Sequence, residues 1–130
     1  MADPSQLSRR ERQIMEAVYA REKGGGASVN DVLADLPDPS TRTSIRTILR
    51  ILEQKGHLTH SLAGREFIYH PVAPRAQVGK SALESVLRAF FGNSLPTALA
   101  AHFADPKTKL SPEEARELKN LIEQARRRGE

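Results

Sequence analysis

Between Ser40 and Gly56 the chain reads S-T-R-T-S-I-R-T-I-L-R-I-L-E-Q-K-G, and the period of this stretch constrains the fold more than any other feature. At about 100° per residue, Ile45, Ile48, Leu49 and Leu52 fall on one stripe, the spacing of a helix buried along one side. Thr43, Arg46, Thr47, Arg50 and Gln54 fall on the other side, with no acid between Ser40 and Leu52. A solvated helix usually mixes both charge signs. Hydroxyls, guanidiniums and an amide are the groups that meet base edges and phosphates. Ser40 is the expected N-cap and Gly56, behind Lys55, the expected C′ residue. Taken alone, the segment fits a cationic surface helix without a partner equally well, so its neighbours must decide.

Upstream, Ser8 and Glu11 have the spacing of a capping box, predicting a helix to about Lys23 with Ile14, Met15, Val18 and Tyr19 on its apolar side. Arg9, Arg10 and Arg12 crowd its first turn. Basic residues there oppose the helix dipole, which suits a nearby phosphate as well as a solvated helix end. Gly24 to Gly26 break this helix, and Ala27 is placed to make one strand-like pairing. Ser28 then caps a short helix with Val29, Val32, Leu33 and Leu36 on one stripe, closed by Pro37 and Pro39. Asp38, Pro39 and Ser40 alone would separate it from the next helix, the layout of a helix-turn-helix.

After Gly56 the period becomes alternating. His57–Ser61 and Glu66–His70 read as two strands around Leu62 to Arg65, with Leu58 facing inward and Phe67 and Tyr69 on one face. A hairpin behind a helix-turn-helix is a wing, and Arg65 at its tip is placed to reach a minor groove or flanking phosphate, or simply to solvate the turn.

Pro71 and Pro74 mark the expected boundary, giving residues 1–74 and 75–130 as two domains. The second reads as helical throughout. Val78, Ala82, Leu83, Val86, Leu87, Phe90 and Phe91 make one apolar face, Ser94 caps a helix with Leu95, Leu99 and Phe103, and Ser111-Pro112 opens a last helix burying Ala115, Leu118, Leu121, Ile122 and Ala125. Arg126 to Arg128 suit the negative end of that helix. Three amphipathic helices are too few to enclose their own apolar faces, so a second copy of the chain is the expected cover, with packing onto the same chain as the alternative. The fold expected is mainly α with a small β-hairpin wing: an N-terminal winged helix-turn-helix and an α-helical dimerisation region.

Composition narrows function. No apolar run among the 130 residues nears the roughly 20 of a membrane span, and Met1 to Gln6 is short and polar, so no membrane insertion, no secretory leader and a cytoplasmic location are expected. The chain has no Cys, which removes thiolate catalysis and Cys-based metal sites. Its net charge of +4 permits an anionic partner but is spread evenly over residues 1–75 and 76–130. No catalytic triad, P-loop or dinucleotide fingerprint is present, so no enzyme and no cofactor are expected. His57, His60, His70 and His102 lack the companions and spacing of a metal site. Two other readings remain: a winged helix whose Arg/Thr face meets an acidic protein, and a regulator with a ligand pocket near Phe90, Phe91 and Phe103.

The pattern T-S-I-R-T-I-L-x-x-L-x-x-K-G followed by the G-R-E-F-I-Y-H-P of Gly64 to Pro71 resembles the penicillinase-repressor family of bacteria, which includes methicillin-resistance and copper-responsive repressors. The later A-x-F-G-x-S and L-S-P-E-E-A-R-E-L-K-N-L-I extend the resemblance over essentially the whole chain. It implies a homodimeric repressor on a palindromic double-stranded DNA operator. Arg42, Thr43, Arg46 and Thr47 would lie over the major groove, Thr41 would also belong to the DNA-binding surface, Arg65 would serve the wing, and Arg50 and Tyr69 would touch phosphate or support the groove-facing helix. Leu83, Val86, Leu87, Phe90, Phe91, Leu99, Phe103, Leu118, Leu121 and Ile122 would form the dimer contact. The β-lactam-responsive branch is relieved by a membrane sensor-protease pathway that leads to cleavage at Asn-Phe, where this chain has His102-Phe103. The copper-responsive branch uses paired Cys, which this chain lacks. Ile51 stands where the family often has Arg.

Overall fold

The computed structural model describes residues 6–129, so the polar start at residues 1–5 lies outside it. Helix α1 spans Arg9–Arg21 and continues into a 3-10 turn at Glu22–Gly24. Both halves of its capping box form: Ser8 Oγ accepts from Glu11 N at 3.1 Å, and Glu11 Oε1 accepts from Ser8 N at 2.8 Å. Helix α2, Val29–Asp35, starts on a second complete capping box between Ser28 and Asp31. Its C-cap, Leu36, is extended at φ −72° and ψ 140°, as the following Pro37 requires. That requirement makes the connection to the next helix longer than expected, running from Leu36 to Thr41.

Helix α3 is Arg42–Gln54. Its N-cap is Thr41 rather than Ser40, with the Thr41 hydroxyl accepting from Ser44 N at 3.1 Å; one-residue shifts of this kind are ordinary at helix ends. At the other end Gly56 adopts φ +88°, the left-handed geometry that lets His57 N reach Leu52 O at 3.0 Å. This cap takes His57 out of the first strand. Strand β1 is therefore Leu58–Ala63, paired antiparallel with β2, Glu66–Pro71. Leu62 and Ala63 pair with Phe67 and Glu66, which shortens the expected four-residue loop to Gly64-Arg65. The pairing expected at Ala27 forms, as an isolated antiparallel bridge to Tyr69.

The core lies where α1, α2, α3 and the base of the hairpin meet. Ile14, Val18, Val32, Ile45, Leu49, Leu52 and Leu58 are fully buried there, each stabilising by about 1.5–3 kcal/mol relative to exposure. Leu7, Ala17 and Ala27 join them outside the predicted stripes. Gly26 sits under the hairpin at φ +111°, where an added Cβ would stand 2.5 Å from Ile68 Cγ2.

Helices α4 (Arg75–Phe90), α5 (Leu95–Phe103) and α6 (Pro112–Arg128) follow. Ser94 and Ser111 cap α5 and α6 as expected, through Thr97 N and Glu114 N. None of these three helices has a buried residue. At the start of α4, the Arg75 guanidinium lies 5.9 Å from the centre of the Tyr19 ring of α1.

Candidate nucleic-acid interface

With Ile45, Leu49 and Leu52 turned into the core, α3 must present Thr43, Arg46, Thr47, Arg50 and Gln54 to solvent, and all five are exposed. Arg42 is oriented by a hydrogen bond from Nη1 to Asn30 Oδ1 of α2. Thr47 donates its hydroxyl to Thr43 O at 2.9 Å, which fixes its rotamer on the exposed face. Thr41 combines exposure with its capping role.

The wing stands beside this face. An open cleft of about 820 Å³ separates them, bordered by Arg42, Arg46 and Arg50 on one side and by His60, Arg65, Phe67 and Tyr69 on the other. Four guanidiniums thus border one groove. Glu53, the only acid in α3, is engaged by His60, whose Nδ1 lies 2.7 Å from Oε1 and 2.9 Å from Oε2. Glu66 also lines the groove, next to Arg65.

Tyr69 is only 4% exposed, so its ring lies under the groove and packs into the core. Burial pushes its phenol above the ordinary value and Glu53 adds to this, while Arg50 and Arg46 pull the other way. The hydroxyl therefore stays protonated at neutral pH and can donate.

The sequence gives no groove role to His60, Glu53, Phe67 or Asn30, which border the groove or orient the side chains that do. The alternation that puts His60 on the same face as Leu58 was the available signal. The histidines flanking the wing are explained by acids: His60 pairs with Glu53, and His70 Nδ1 lies 3.1 Å from Glu22 Oε2. Among the described residues no group of three or more His, Asp and Glu could hold a metal ion, and no helix is long and apolar enough to cross a membrane.

Of the side chains expected at a dimer contact, Leu83, Phe90, Phe103, Leu121 and Ile122 are exposed, at 43–77%. Val86, Leu87, Phe91, Leu99 and Leu118 are partly covered. His102 and Phe103 are both exposed in the last turn of α5.

The chain matches the family described as Penicillinase repressor over residues 7–124. It is 29% identical over 125 residues to the Penicillinase repressor of Bacillus licheniformis, covering 95% of this chain and 94% of that protein. Among solved structures it is similar to MepR, a transcription regulator of the Staphylococcus aureus multidrug efflux pump MepA. That similarity spans 96% of this chain and 82% of MepR at 17% identity and a TM-score of 0.50, and it is one of fold.

Proposed function

Because the chain belongs to the penicillinase repressor family and is a DNA-binding transcriptional repressor with a winged-helix fold, we propose that it represses as a homodimer seated on a palindromic promoter operator. The observation that carries this reading is the outer face of α3, cationic and hydroxylic, acid-free through its first eleven residues and flanked by a wing that brings a fourth guanidinium to the same groove. In this reading residues 1–74 bind DNA and residues 75–130 join two protomers. The two α3 helices enter successive major grooves about 34–36 Å apart and exclude polymerase by occupancy.

Arg42, Thr43, Arg46 and Thr47 face base edges, and Thr41 and Arg50 meet phosphates. Arg65 contacts the backbone or minor groove from the wing, and Tyr69 supports α3 from below. The dimer reading is supported by the apolar side chains of α4, α5 and α6 that one protomer leaves uncovered. Release through a membrane sensor-protease pathway would act at His102-Phe103. That bond sits in a helical turn, which must unwind before a protease can engage it.

Selection from a random DNA pool with the purified full-length protein tests the proposal. Recovery of an inverted repeat with half-sites one duplex turn apart is the expected result. Selection of nothing in particular would move the Arg/Thr face to another class of partner.

A further inference from the structure

A two-stranded hairpin has little stability of its own in water. Within the wing only Leu58 and Tyr69 are buried, both at its base, so the angle of its outer half depends on side-chain contacts along its length. On the face toward α3, His60 aims Nδ1 at both oxygens of Glu53. A carboxylate only accepts, so Nδ1 carries the proton. The same imidazole lies flat on Phe67, with ring centres 4.2 Å apart and planes 20° apart. Phe67 is two residues from Arg65 and pairs across the hairpin with Leu62. A continuous path of contact therefore leads from the last turn of α3 almost to the wing tip.

The opposite face is held separately. There His70 meets Glu22 through Nδ1 and Ser61 Oγ through Nε2, the latter at 3.0 Å. This contact joins the wing to the turn after α1, and it does not set the distance between the wing and α3. Glu53 is also anomalous on electrostatic grounds. A carboxylate beside Arg50 on a face that meets phosphates opposes binding unless it has a compensating role.

We propose that Glu53 and His60 are positioning residues: their contact, relayed through Phe67, holds the wing at the angle from which Arg65 reaches DNA. This rests on the reading of Arg65 as a DNA contact. Neither Glu53 nor His60 touches DNA in this scheme, and the benefit of Arg65 depends on the acceptor that Glu53 supplies.

The test is a set of operator affinities for the full-length protein, its R65A variant, and the same pair in E53A and E53Q backgrounds. E53A and E53Q remove the same charge, but Gln keeps an acceptor oxygen for His60. With side chains 32% and 34% exposed, the pair lies at the surface, and thermal melts verify that each variant folds. R65A is expected to weaken binding roughly tenfold in the parent and in E53Q, as loss of a charge-assisted contact does. In E53A it should weaken binding by less than about twofold, because the wing tip is no longer held against DNA. A tenfold loss in E53A as well would overturn the positioning role while leaving Arg65 on DNA. No loss on R65A in the parent would overturn both.

Discussion

Lys55, at the end of α3, donates from Nζ to Glu11 Oε2 in the first turn of α1 at 2.8 Å, across 44 residues of sequence. Glu11 is only 8% exposed and also accepts the backbone N–H of Ser8. One carboxylate thus caps α1 and anchors the end of α3 to it. The Lys55 hydrogen bond, followed by the Ser8 N–H, holds its carboxyl below the ordinary value of 4.5 against the opposing effect of burial.

The depressed value sets the sign of a pH effect. Stability from Glu11 is fully present above the unfolded value near 4.5 and is lost as pH falls through the lower folded value. Glu11→Gln should cost about 1–3 kcal/mol at pH 7. In urea titrations its deficit should shrink as pH drops below about 4.5, the unfolded carboxylate value. A deficit constant from pH 7 to pH 3 would contradict the ionised anchor.

Arg46→Ala and Arg65→Ala should differ in kind. If Arg46 forms a bidentate contact to a base, its loss should cost about 1–3 kcal/mol and relax preference at one operator position. Loss of Arg65 should weaken all sequences evenly and flatten the salt dependence. Titration of each variant against single-base operator changes separates the two patterns, and parent-like binding by both would relocate the interface.

The capping box of α1, the Ser28 cap of α2, the glycine end of α3 and the pairing of Ala27 were all legible in the sequence, because each is a pattern spanning a few residues. Contacts between distant segments were not. Glu11 had a visible reason to bond to Ser8, but nothing near it pointed to Lys55. His60 and Glu53 are only seven residues apart, yet they meet because the chain turns back at Gly56 by an angle that periodicity does not encode. The hairpin turn is shorter than the alternation predicts because Leu62 and Ala63, though exposed, continue the backbone ladder.

Gly26→Ala should be among the most damaging single-methyl additions in the chain. It combines φ +111° with a Cβ placed 2.5 Å from Ile68 Cγ2 and 2.7 Å from His70 Cε1. Strain and overpacking together should cost about 2–4 kcal/mol, read as a lowered urea midpoint. Gly24→Ala, where φ is ordinary and the space is open, should be close to neutral in the same assay.

The dimer reading is tested by two substitutions in α6. Leu121 and Ile122 are 60% and 62% exposed in α6, so replacing both with Glu should leave the protomer folded while charging the apolar face. Sedimentation should show dimer for the parent and monomer for the double variant. A dimeric variant would place the self-association surface elsewhere.

Titration of the selected inverted repeat with full-length protein at two salt concentrations tests the central claim most directly. The account predicts two protomers per repeat and an affinity that falls by orders of magnitude between about 50 and 200 mM salt, because the arginine face displaces counterions from phosphates. Binding of one protomer with equal affinity for unrelated duplexes and little response to salt would contradict it.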